Sequence, residues 1–254
     1  MTFKLVESIC CVDSETCRAN VKSALARGLP VCTRSPRRTG ALAIVGSAPS
    51  VLGHVDELRA WPGEIWAING AYDFLRDLGI VAHAFIGMDP LGAMAEYVKN
   101  PHKDTTFFIS SVCDPKLFDA LKDQHVWMWH SKWDEMVYPH DAKVVSGGTT
   151  CITRAPFLAN MLGWRDMTIF GADSSYAEGP YCYKHGRYSF DTVSKRLYAD
   201  VDGQRFETEL PLIKQVAQLG TLGEFFNGQL KFKCGGLLAA YMRSPMRSLD
   251  ELAA

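Results

Sequence analysis

At 254 residues and 47% hydrophobic content, the chain is long enough to bury one sizeable core. A formal net charge of −1 excludes an extended nucleic-acid surface. The nearest basic cluster, Arg34, Arg37 and Arg38 in CTRSPRRTG, reads as a solvated loop. No apolar stretch approaches the roughly 18 residues that a membrane span needs. The start, MTFKLVESICC, lacks the pattern of a secretory leader, so a cytoplasmic location is expected. The eight cysteines contain no CxxC pair and read as reduced thiols. No spacing of Cys or His matches a metal site, and none is expected.

Residues 13–27 (DSETCRANVKSALAR) predict a helix capped by Asp13 or Ser14 and ended by Gly28 and Pro30. The Arg- and Pro-rich loop to Gly40 closes an N-terminal helical extension, residues 1–40, and a single α/β domain is expected over 41–254. There ALAIVG (41–46) has the short apolar run of a buried parallel strand. Helices are predicted over 49–60 and 71–79, the second ended by Gly79. Strands are predicted at 64–69, 83–89, 105–111 and 125–130, then a helix over 149–162 and a strand at 166–173. Residues 174–208 are polar, Tyr-rich and aperiodic. A helix near 210–219, a strand at 231–234 and a helix at 236–243 complete the chain. This alternation implies a Rossmann-like, doubly wound, mostly parallel sheet with helices on both faces.

Such sheets bind ligands beyond the carboxyl ends of their strands. The residues found there are Gly46-Ser47-Ala48-Pro49-Ser50, then Asn69, Asp89, the turn Ser146-Gly147-Gly148-Thr149, and Asp173 with Tyr176. Small residues ahead of a helix let amides approach an anion, which makes GSAPS a phosphate candidate and SGGTT a second one. Neither is a P-loop or a dinucleotide fingerprint. Asp89 and Asp173 are placed to hold a ribose hydroxyl, a cation or a reacting hydroxyl, or simply to cap a helix. Tyr176, Tyr181, Tyr183, Lys184, His185, Arg187 and Tyr188 crowd one loop, a donor set suited to a phosphate leaving group, with His185 as base. His130 follows the run WMW and reads as structural or solvated.

The order of these turns resembles bacterial sialyltransferases of the lipooligosaccharide type over roughly residues 41–190. It is similar also to the wider MptE-like group, which includes motility-associated glycosyltransferases and the archaeal 6-hydroxymethylpterin diphosphokinase. By the sialyltransferase resemblance, Gly46, Ser47, Ser50, Asn69, Ser146 and Gly147 would contact the nucleotide. Tyr176 and Tyr181 would hold its phosphate and His185 would be the base. The first turn departs from that pattern, reading GSAPS where those enzymes have Gly-Asn-Gly-Pro-Ser. The segment INGAYDFLRDLGIVAHAFIGMDP also resembles thiamine pyrophosphokinases and their pterin relatives, in which Asp89 would help to bind Mg-ATP.

The expected function is a glycosyltransferase-like enzyme using a nucleotide or nucleotide-sugar donor, with no essential metal. The alternatives are a diphosphokinase needing Mg²⁺ and ATP, and a nucleotide-binding protein without turnover. The partner is a small-molecule nucleotide donor. A homo-oligomer is compatible with the sequence.

Overall fold

The computed structural model describes residues 12–133, 138–176 and 196–244. Ten strands are arranged in two sheets among these residues. They are β1 (Leu42–Val45), β2 (Glu64–Ile68), β3 (Ala84–Gly87), β4 (Thr106–Ser110), β5 (His125–Ser131), β6 (Val144–Val145), β7 (Met167–Phe170), β8 (Arg196–Val201), β9 (Gln204–Glu209) and β10 (Leu230–Lys233). The helices are α1 (Ser14–Ala26), α2 (Val55–Arg59), α3 (Ala71–Asp77), α4 (Pro115–Ala120), α5 (Cys151–Met161), α6 (Leu210–Phe225) and α7 (Gly236–Arg243).

Eight strands form one sheet in the order β10-β7-β1-β2-β3-β4-β5-β6. All its pairings are parallel. Every residue of the central strands β1, β3 and β7 is buried, which is why they read as unbroken apolar runs. Alternation decides only which face each residue joins. Leu42, Ile44, Trp66 and Ile86 meet α5, α6 and α7 through Ala155, Leu158, Val216 and Leu237. Ala43, Val45, Ala67 and Phe85 meet α3 and α4 through Phe74, Leu75 and Leu117. The alternating β/α sequence therefore produces the doubly wound Rossmann-like sheet that its periodicity implies.

Ahead of Ala41, α1 is capped by Asp13, whose carboxylate accepts the Thr16 N–H at 2.7 Å. Its buried Asn20 donates to the carbonyl of Val112 at 2.9 Å. The following segment runs beside β5, where the Cys32 N–H donates to the Met128 carbonyl at 2.7 Å.

Local structure departs from the periodicity in several places, among them the unexpected α4 and β6. Residues 49–60 split into a 3₁₀ turn, Pro49–His54, which packs against β7, and the short α2. Residues 174–208 are not wholly irregular: β8 and β9 form an antiparallel hairpin closed by Asp202 and Gly203. Its charged residues (Arg196, Asp200, Arg205, Glu207) share one face and Leu197, Ala199, Val201 and Phe206 the other, so a period-2 alternation is present, carried by few and mostly small apolar residues. Helix α6 extends to Phe225, past the expected end at 219, because Gly220 and Gly223 accept Tyr241 and Phe232 against them instead of ending the helix.

Candidate functional site

The strand order reverses between β1 and β7, the place where open parallel sheets bind ligands. Here the two strand ends are sealed together. The Gly46 N–H donates to Phe170 O at 2.8 Å and the Ala48 N–H to Gly171 O at 3.2 Å. A Cβ on Gly46 would lie 2.3 Å from Gly171 O, so the approach is open only to glycine. Asp173 completes the seal. Its carboxylate accepts the Ser50 N–H at 3.0 Å, the Gly235 N–H at 2.9 Å and the Ser50 hydroxyl. It is 4% exposed and ties β1, β7 and the start of α7 together. In GSAPS the amides of Gly46, Ala48 and Ser50 are thus used within the protein and Pro49 has none. That leaves Ser47 as the turn's one N–H with no bond to a described residue.

Tyr176 lies on the hairpin side. Its N–H donates to Glu207 O at 2.8 Å, its hydroxyl to Glu209 at 3.1 Å, and Arg196 stacks on its ring. Tyr181 and His185 fall outside the described residues.

The remaining candidates gather around the first turn of α5. A Cβ on Gly46 would be 3.3 Å from the Ile152 side chain, and the Cys151 thiol points at Ile86 O at 3.6 Å. This turn therefore covers the ends of both β1 and β3. Beside it Asn69 stands in the left-handed region at φ +49°, a conformation Asn tolerates better than most residues. Its amide donates to Asp89 at 3.1 Å, while its buried carbonyl oxygen has no donor among the described residues. Burial pushes the Asp89 carboxyl above the ordinary range, and the Asn69 hydrogen bond offsets this in part. The same charge adds to the burial that raises the Cys113 and Cys151 thiols.

The raised Asp89 pKa has a stability consequence. A carboxyl that is harder to ionise folded than unfolded opposes folding once it is charged. That cost is complete above the folded pKa and absent below the unfolded one. Asp89→Asn is therefore expected to melt higher than wild type at pH 7.5, with the difference closing as pH falls toward 4. Melting curves across that range check it.

The turn ahead of α5 is built on two glycines, Gly147 at φ +124° and Gly148 at φ +110°. Ser146 is exposed, whereas Gly147 and Gly148 are buried. Phe157 lies where a Gly147 Cβ would stand, 2.0 Å from it. Thr149 donates through its N–H (3.0 Å) and hydroxyl (3.1 Å) to the side-chain oxygen of Gln218. Arg154, 2% exposed, donates to Gly148 O at 2.7 Å and lies over the Trp133 ring.

The sequence did not single out Gln218, and it read His130 as structural or solvated. Gln215 and Gln218, three apart among the apolar residues of α6, were the available signal for a buried polar face. His130 is 1% exposed at the end of β5. Its Nδ1 bonds Ser111 Oγ at 2.9 Å, its ring lies tilted against Tyr138, and burial lowers its pKa, favouring the neutral imidazole. Among the described residues no group of three His, Cys, Asp or Glu is placed to hold a metal ion. None of the described helices is long and apolar enough to cross a membrane.

A parallel sheet with helices on both faces, its polar strand ends gathered at one helix start, defines a Rossmann-like α/β protein. The chain belongs to the 6-hydroxymethylpterin diphosphokinase MptE-like family, whose model matches residues 18–179. Its fold is similar to the structure of the MAf glycosyltransferase from Magnetospirillum magneticum AMB-1, with a TM-score of 0.66 at 17% sequence identity. The similarity covers 87% of this chain and 36% of that one. No curated protein matches the sequence.

Proposed function

We propose that the protein is a transferase that binds a nucleotide-activated donor across the ends of β1, β2 and β3 and the first turn of α5, in the manner of a glycosyltransferase. The observation that carries this reading is the Asn69–Asp89 pair. A buried carbonyl oxygen without a donor is costly, about 1–3 kcal/mol, unless a ligand supplies one. Asp89 beside it adds a second acceptor. Two acceptors at a strand end suit the hydroxyls of a ribose or the amino edge of a base. The first turn of α5 offers amides that no helical turn satisfies, which suits the donor's phosphate.

Family and fold both support a transferase and leave its donor open. His185 is the proposed base for an acceptor hydroxyl, resting on the donor-rich sequence around it and on the resemblance. The second reading is pyrophosphoryl transfer from Mg-ATP. It is favoured by the family's diphosphokinase name and by Asp89, for which Asn69 is the one hydrogen-bond donor among the described residues.

Thermal stabilisation by CMP, UDP, GDP, ADP and ATP, each with Mg²⁺ or EDTA, separates these readings. A ligand at a hundred times its dissociation constant adds about 2.7 kcal/mol. The expected result is stabilisation by a nucleotide without metal, lost in Asn69→Gly. That variant removes the side chain while easing the left-handed backbone, so it should melt close to wild type without ligand. Stabilisation by Mg-ATP alone, removed by Asp89→Asn, transfers the assignment to the diphosphokinase. No shift with any nucleotide refutes both.

A further inference from the structure

Gln218 lies on α6, beyond residues 18–179 of the family match, and is 5% exposed. The orientation of its amide is fixed by chemistry. The Thr149 backbone N–H donates only, so the Gln218 atom 3.0 Å from it is the oxygen. The nitrogen, with two donor hydrogens, is left buried with no acceptor among the described residues. Leaving such a donor unpaired is costly, so its presence points to an acceptor that arrives from outside.

The surroundings say what kind of acceptor. The amide lies against the turn that opens α5, a helix of 11 residues whose N-terminus carries a partial positive charge. The Arg154 guanidinium, bonded to Gly148 O, fixes a permanent positive charge under the same turn. An acceptor that is also an anion meets all three features. Gly148 is required here, since a Cβ would stand 2.8 Å from the Gln218 oxygen and 2.6 Å from Thr153 Oγ1.

We propose that Gln218 is a positioning residue for a phosphate group of the bound nucleotide. Its oxygen holds Thr149 and its nitrogen donates to a phosphate oxygen, which reaches it through an outward shift of the Ser146–Gly148 backbone. The inference rests on the nucleotide-binding reading above and adds to it a residue from outside the family segment.

Gln218→Glu tests it, because a carboxylate keeps the acceptor for Thr149 and replaces the donor with a repelling oxygen. Calorimetric titration of the full-length chain would compare pyrophosphate, the stabilising nucleotide and its nucleoside. We expect Gln218→Glu to weaken nucleotide and pyrophosphate binding about tenfold to a hundredfold and to leave the nucleoside within about twofold. Gln218→Met, which brings in no charge, should weaken phosphate binding in the same selective way. Its melting temperature without ligand reports whether the fold is kept. Unchanged nucleotide affinity in both variants overturns the role of Gln218 and leaves the site intact. Equal loss of nucleoside and nucleotide also overturns it, since the effect is then not on phosphate. No binding of any nucleotide by wild type refutes the site as a whole.

Discussion

Replacing Asp173 with alanine is expected to lower the melting temperature by about 10 °C. The carboxylate is 4% exposed and accepts three hydrogen bonds, from the Ser50 N–H and hydroxyl and from the Gly235 N–H. Removing it strands three partly buried donors, at about 3–5 kcal/mol together. A chain of this size loses roughly 2–4 °C per kcal/mol. Asp173→Asn keeps one acceptor oxygen and should lose about half as much. Ser50→Ala, which removes one donor of the set, should cost about 1 kcal/mol. A reacting carboxylate behaves differently: Asp173→Asn would then melt like wild type and lose turnover. Melting curves beside an activity assay separate a tie between β1, β7 and α7 from a catalytic group. The hydrogen bonds favour the tie.

Gly46→Ala is expected to cost about 3 kcal/mol and to abolish stabilisation by nucleotide in one step. Its Cβ would stand 2.3 Å from Gly171 O, and that oxygen belongs to backbone, so no side chain can turn aside to make room. The strain would separate β1 from β7 where Gly46 and Ala48 donate to Phe170 and Gly171. The same Cβ reaches to 3.3 Å from the Ile152 side chain, so the first turn of α5 would be pushed from the strand ends. Denaturant unfolding measures the first effect and the nucleotide titration the second. A variant with wild-type stability would show that the two strand ends are not locked together.

Much of this architecture was legible from local chemistry. ALAIV (41–45), IWAI (65–68) and AFIGM (84–88) are apolar runs because a parallel sheet covered on both faces buries the interior of its central strands. The polar residues after each run could then be assigned to one edge of the sheet, which is where Gly46, Asn69, Asp89 and the turn before α5 lie. The hairpin β8–β9 is harder to read: its alternation of Leu197, Ala199, Val201 and Phe206 against charged neighbours spans only two six-residue strands within a longer polar stretch.

The sequence by itself determined the class of fold, the edge on which polar residues collect, and the residue types found there, since these depend on periodicity and on neighbours a few positions apart. Only the tertiary structure decided which of those groups are already in use. Asp173 and Thr149 each look like ligand contacts in the sequence, yet their partners Gly235 and Gln218 come from 62 and 69 residues further along the chain. Gln218 looks ordinary there and Asn69 is marked only by its place after β2, yet each has one polar atom unpaired among the described residues. Whether a hydrogen-bonding group is satisfied depends on what the folded chain brings to within about 3 Å of it, and no local pattern encodes that distance.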